Sequence, residues 1–341
     1  MRVSIIMPIY NQERYLKSAL QMALNQTYSD LEVVAINDGS NDGSLSILES
    51  FASKDDRLKV ITQSNRGLLG ANVTGIKSAT GEYIGFFDPD DAIGPDYVES
   101  FISMLDQPYD FVARGITYRF PSGDVPFPLA KDSVIGTDEI RALTPAFILD
   151  RSLGMDNTVF VSRWNKIYKT DCLTSFIDEY SSCEGVSLGE DTLFTYLLLW
   201  HASKGRVLRA PSSYCYIQHG ESMTHEADFE RLIGGYNKMF DVFMNLISCY
   251  SSDVTPAKLL YFGQMSSLLA SIADCSPREG ASLYRRFQRS SRYREALECA
   301  CNYASDKNIN AILQLRHCPA NIYVLLRQLY RMFGRKQSRS F

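Results

Sequence analysis

Three carboxylates close one short apolar run: Tyr83 to Phe87 is followed by Asp88, Pro89, Asp90 and Asp91. Carboxylates this close repel one another unless a cation or a donor stands between them. In an extended chain the Asp-x-Asp spacing puts two side chains on one side. That pair suits a hard divalent ion with positions left open for phosphate oxygens. A solvated acidic turn around Pro89 is the competing reading, because Asp and Pro are common in turns. Two more acids, Glu190 and Asp191, open the apolar stretch Thr192 to Trp200. Acids at such a place commonly cap a helix and offset its dipole. Gln218 to His225 is a polar stretch that carries His219 and His225. A loop histidine there could contact phosphate or complete a metal shell.

The elements that must position these residues show in the periodicity. Val3 to Met7 and Leu31 to Ile36 are apolar runs, as expected of strands buried on both faces. Glu13 to Asn25 has apolar residues at helical spacing. Ser46 to Lys54 and Leu69 to Ala79 read as further helices, and Leu58 to Thr62 as a third strand. Strand and helix therefore alternate up to Phe87, which predicts an α/β fold with a parallel sheet and right-handed crossovers. In such sheets ligands sit at the C-terminal strand ends. Pro8 to Asn11, Asn37 to Ser44 and Asp88 to Asp91 all fall at such ends. Beyond Ala92 the pattern loosens. Phe111 to Phe120 reads as a strand, and Phe120 to Asp132, with three prolines, as a loop. Val207 to Ala210 and Tyr214 to Ile217 read as separate extended pieces, and the chain beyond Ala227 as helical.

A chain of 341 residues with 45% hydrophobic content can bury a large core in one or two units. A net charge of −4 gives no reason to expect nucleic acid as a partner. The eight cysteines form no Cys-x-x-Cys pair and no zinc spacing, as expected of free thiols in a reducing cytoplasm. There is no glycine fingerprint for a dinucleotide and no phosphate-cradling P-loop. A nucleotide held here would be gripped by carboxylates and a metal. From Ile322 onward, apolar residues mix with Arg327, Arg331, Arg335, Lys336 and Arg339. That pattern suits either a docked helix with a solvated basic tail or a peripheral contact with an anionic membrane.

Taken together, these residues resemble family 2 glycosyltransferases of the GT-A fold, of the non-processive bacterial polysaccharide type. The resemblance rests on Val3 to Asn11, Asn37 to Ser44, Ala79 to Ile84 and Asp88 to Asp91, then Trp164-Asn165-Lys166 and Gly189-Glu190-Asp191 in that order. It covers about residues 1–225. It implies a single Rossmann-like, mostly parallel sheet flanked by helices over 1–225, with a nucleotide-binding half at 1–91 and an acceptor-side half at 92–225. A helical region would follow at 226–341. It also implies a nucleotide-sugar donor, UDP-linked by preference, a Mn or Mg ion, and a glycan or lipid-linked acceptor. The enzyme would work in the cytoplasm, including its inner membrane face. Pro8, Tyr10, Asn11 and Asp38 would hold base and ribose, with Asp88 and Asp90 completing the nucleotide-sugar site. Asp90 and Asp91 would hold the metal, and Asp191 would be the general base of an inverting transfer. Glu190, Lys166 and His225 are further candidates, and Trp164 would either line the acceptor side or pack in the core. The chain departs from the family where an Arg-Asn pair is common and Asn72-Val73 stands instead. Two alternatives accompany this reading: a sugar-phosphate nucleotidyltransferase, and a catalytically silent relative acting as a binding or assembly protein.

Overall fold

The computed structural model describes residues 1–129, 131–146, 162–218, 229–271 and 276–303. The chain divides into two compact units, Met1–Glu226 and Ala227–Phe341. In the first, strands β1 (Val3–Ile9), β2 (Leu31–Asp38), β3 (Leu58–Gln63) and β4 (Tyr83–Phe86) alternate with helices α1 (Glu13–Leu24), α2 (Ser44–Ala52) and α3 (Gly67–Ser78). These strands lie in the order β3-β2-β1-β4, and every pairing among them is parallel. All positions of β1, β2 and β4 are buried, which is why they read as apolar runs without alternation. The ends of β1, β2 and β4 are therefore neighbours, and the loops after them open on one edge.

Past β4 the sheet becomes mixed, and parallel pairing does not extend across the whole of it. The path continues through β9 (Lys166–Lys169), β6 (Phe111–Phe120), β10 (Lys204–Ile217) and β5 (Ala92–Ile93). β9 runs antiparallel to both β4 and β6, whereas β10 runs parallel to β6. The physical reason is connectivity, since these strands do not arrive by the repeated strand–helix–strand step that keeps the first four parallel. The stretch expected as a loop after Phe120 instead contains β7 (Gly123–Phe127), paired in a hairpin with β6. Its turn residue Gly123 has φ of 129°, open to glycine alone, and Pro126 is tolerated because β7 is an edge strand. The two short pieces expected after Val207 are one strand, β10, whose register with β6 slips around Pro211. Helix α4 (Tyr97–Ile102) follows β5, and strand β8 (Ser133–Gly136) pairs antiparallel with β10 and leads into α5 (Thr137–Ala146). Short helices α6 (Thr170–Thr174) and α7 (Ile177–Ser182) precede α8 (Glu190–His201).

Two clusters hold this unit in place. Far from the loop edge, the buried Glu32 of β2 accepts from Ser4 Oγ of β1 at 2.6 Å and from Thr80 N and Oγ1 at 2.6 and 2.9 Å. Gly81 N donates in turn to Ser4 Oγ at 2.9 Å. One carboxylate thus pins the starts of three parallel strands. Nearer the site, Phe194 of α8 makes edge contacts with Phe86, Tyr168, Phe176 and Tyr180 at 5.3 to 5.7 Å. Such pairs are each worth about 0.5–1.5 kcal/mol beyond their area. They seat α8 on β4 and β9, and with it the acids of its first turn.

The second unit contains α9 (Phe229–Ser248), α10 (Thr255–Ser271), α11 (Pro277–Arg289) and α12 (Ser291–Tyr303). Ser276 and Glu279 form a capping box at the start of α11, with Pro277 at its first position. Among the described residues no helix is long and apolar enough to cross a membrane. The basic stretch after Ile322 lies outside the described residues.

Burial raises the proton affinity of Glu32, but the hydrogen bonds from Ser4 and Thr80 outweigh it and hold the carboxyl below its usual range. A lowered folded pKa stabilises the fold above the unfolded carboxylate range, and that stability is lost as pH falls through the folded value. Glu32→Ala leaves the buried Ser4 O–H without its acceptor, at about 1–3 kcal/mol, and removes the partner of Thr80. Urea melts at neutral pH should show a lower midpoint for Glu32→Ala, with the gap narrowing on acidification below the carboxylate range. A gap constant with pH would contradict the charged role.

Candidate active site

The loop edge is built by backbone geometry before any side chain is counted. Asn11 follows β1 with φ of 53°, the left-handed region. Its N–H donates to Ser40 Oγ at 3.1 Å, and its Oδ1 accepts from Asn41 N at 2.8 Å. The loops after β1 and β2 are thereby tied together. Gly39 has φ of 73°, and a Cβ there would sit 2.8 Å from Asn65 N, so the loop after β3 packs on it as well. Pro8 is buried in β1, while Tyr10 stands 46% exposed over this edge. Asp38, at the end of β2, is buried; its Oδ1 accepts from Gln63 Nε2 at 2.7 Å and Arg66 N at 2.9 Å.

Arg66 does not reach into the edge with its guanidinium. That group pairs with Glu184 at 2.5 and 3.0 Å, in the segment leading to α8. Asn72, where the resemblance led to an expectation of arginine, is fully buried in α3. Neither end of its amide is hydrogen-bonded among the described residues.

At the end of β4 the three acids separate. Asp88 and Asp90 keep part of their surface, whereas Asp91 is buried. Burial pushes Asp88 up to about 7; Arg163 opposes the rise, and Asp90, Asp191 and Glu190 add to it. Asp91 departs from the metal role expected of it. Its Oδ2 accepts from Tyr214 O–H at 2.7 Å and its Oδ1 from Ile217 N–H at 2.8 Å. Burial and Asp88 raise its carboxyl to about 8 against those two bonds. Both oxygens thus anchor the end of β10. The backbone turns here, with Asp91 N donating to Asp88 O at 3.0 Å, so the three acids do not lie along one extended strand. Among the described residues no group of three or more His, Cys, Asp or Glu could hold a metal ion.

Across from this edge, Gly189 starts α8 with φ of 84° and no side-chain cap. Glu190 is buried, and burial together with Asp191 raises its carboxyl to about 7. The Asp191 side chain remains 30% exposed, but its Oδ1 is buried. Both acids meet a residue that the sequence reading did not select. Arg163 is 1% exposed, and its Nη1 lies 2.6 Å from Asp191 Oδ1 and 3.3 Å from Glu190 Oε1. Its guanidinium lies over Phe86, 5.6 Å from the ring centroid. Asp191, Glu190 and Asp88 hold Arg163 charged despite its burial.

The Trp164-Asn165-Lys166 motif is scaffolding for that arginine. The carbonyls of Ser162, Arg163, Trp164 and Asn165 accept in turn from Lys166 Nζ, Tyr168 O–H, Tyr97 O–H and Arg114 N at 2.6 to 3.1 Å. Irregular backbone can be buried only when its polar groups are satisfied in this way. Lys166 is fully buried, and burial lowers its ammonium to about 7. It therefore does not line an acceptor face. Trp164 stacks on Tyr214 at 4.7 Å and Tyr216 at 5.4 Å as part of the core. His219 and His225 lie outside the described residues. The signal for Arg163 was its place directly before this motif, and the signal for Tyr214 was an apolar strand carrying a phenol.

Asp91→Ala leaves the buried Tyr214 O–H without an acceptor, a cost of about 1–3 kcal/mol, and removes the partner of the half-buried Ile217 N–H. The urea midpoint should fall, while Mn affinity of the folded variant stays near that of the parent. Unchanged stability with lost Mn affinity would return Asp91 to the metal.

The comparisons agree with this architecture. Residues 4–173 match the model for Glycosyl transferase family 2. Glycosyltransferase GlyA of Streptococcus pneumoniae is 32% identical over 172 residues, 49% of this chain and 24% of GlyA. Chondroitin synthase of Escherichia coli is 42% identical over 97 residues, 28% of this chain and 14% of that protein. The chain thus spans no more than about a quarter of these two relatives. The crystal structure of S. aureus TarS 1-349 aligns with a TM-score of 0.65 at 17% identity, covering 98% of this chain and 92% of that one. TarS 1-349 in complex with UDP-GlcNAc aligns with a TM-score of 0.64 at 18% identity. With strand order, loop edge and family model in agreement over residues 4–173, the chain belongs to glycosyl transferase family 2.

Proposed function

We propose that this chain moves one sugar from a nucleotide sugar, UDP-linked by preference, to a glycan or lipid-linked acceptor, with inversion at the anomeric carbon. The observation that carries the reading is the facing arrangement of acids. Asp88 and Asp90 stand at the end of β4, and Asp191 stands opposite at the start of α8, near enough for its charge to act on Asp88. Family membership favours glycosyl transfer over nucleotidyl transfer. A structure of like fold holding UDP-GlcNAc supports the choice of UDP.

Asp38, Pro8, Tyr10 and Asn11 would receive base and ribose. A divalent ion, Mn or Mg, fits Asp90 with Asp88 beside it, because the raised proton affinity of Asp88 marks charge that a cation would relieve. When bound, that ion neutralises charge on the leaving diphosphate. Asp91 anchors β10 instead. Asp191 keeps its Oδ2 side open and takes the proton of the acceptor hydroxyl. The hydroxyl oxygen bonds to the anomeric carbon as the bond to diphosphate oxygen breaks on the opposite face.

A hydrolysis and transfer screen over UDP- and GDP-sugars with Mn tests this directly. Asp191→Asn should lower kcat by roughly 10²–10⁴-fold while donor binding stays nearly intact. Chelation with EDTA should remove donor affinity. Unchanged turnover in Asp191→Asn sinks the base assignment, and donor affinity indifferent to EDTA overturns the metal role.

A further inference from the structure

A buried guanidinium costs several kcal/mol in desolvation, which only good pairing repays. Arg163 does not spend its donors as a purely structural arginine would. One nitrogen, Nη1, faces both Glu190 and Asp191, while Nε is buried with no partner among the described residues. A bidentate fork on one carboxylate would have held the fold better. The approach to Asp191 Oδ1 at 2.6 Å is a charge contact without hydrogen-bond alignment. Oδ1 is buried against Arg163, so the 30% exposure of the Asp191 side chain belongs to its other atoms, Oδ2 among them. The carbonyls on either side of Arg163, and its own, are each fixed by a buried donor, so the arginine backbone has little freedom.

We propose that Arg163 is a positioning residue that pins one oxygen of Asp191 and turns the other toward the acceptor hydroxyl, while Glu190 holds Arg163 in place. This rests on Asp191 being the base of the proposed transfer. The guanidinium also sets the charge balance of the pocket. The charged and titratable groups that act on Glu190 are Asp191 on its own helix, Arg163 from the segment into β9, Tyr180 of α7 and Asp88 after β4. Of these, Arg163 is the cation that favours the charged form of Glu190.

The test compares the full chain with Arg163→Ala and Arg163→Lys, with melting curves to establish folding. Arg163→Ala should lose kcat on the order of 10²-fold with donor KM changed by less than about threefold. Added guanidinium should restore part of that loss. Arg163→Lys should fall between, because an ammonium keeps the charge without the planar reach. In parallel, carbon NMR of the Glu190 carboxyl should show its titration moving upward from about 7 when Arg163 is removed. Wild-type kcat in folded Arg163→Ala, absence of guanidinium rescue, or an unmoved Glu190 titration overturns the inference alone. A parent chain inert toward every donor overturns the transfer reading and this inference together.

Discussion

The charge of Arg163, held inside the first unit among Asp191, Glu190 and Asp88, is the constraint on which the site depends. Three acids gathered around a recess would drive each other toward protonation. A buried cation lets two adjacent acids at a helix start remain in one place without a side-chain cap. Its backbone is fixed by Tyr97, Tyr168 and Lys166, so the position of the charge is set by the same core that seats β4 and β9. Electrostatics and packing are here one device.

The two sides of the site are positioned by different physics. On the side proposed for the nucleotide, parallel pairing puts strand ends side by side, and polar loop contacts such as Asn11 to Ser40 and Asn41 fix the edge. On the other side, aromatic packing around Phe194 brings in a helix whose first turn carries the base candidate. Asp91 ties the turn after β4 to the end of β10 through Tyr214 and Ile217, so a carboxylate in the acidic motif serves as a clasp.

Much of the first ninety residues was legible because β1, β2 and β4 are buried on both faces and leave unbroken apolar runs. The later strands were harder. β7 hides behind Pro126, which an edge strand accepts, and Pro211 divides β10 into two apparent pieces. The acids were legible as a group but not as individuals. The backbone turns between Asp88 and Asp91, and Pro89 was the mark of that turn in the sequence. Arg163 left no mark in hydropathy, because a buried arginine is written in the sequence like an exposed one, and only its place before Trp164-Asn165-Lys166 pointed to it. Lys166 misled for the same reason, being a fully buried donor to backbone.

The most direct measurement is a crystal structure of the chain with a UDP-sugar and Mn. The account predicts the diphosphate and ion against Asp88 and Asp90, with Asp191 facing the anomeric carbon from the side opposite the leaving group and Arg163 still on its Oδ1. A nucleotide bound away from the β1, β2 and β4 loop edge, or an Asp191 turned from the anomeric carbon, would contradict it.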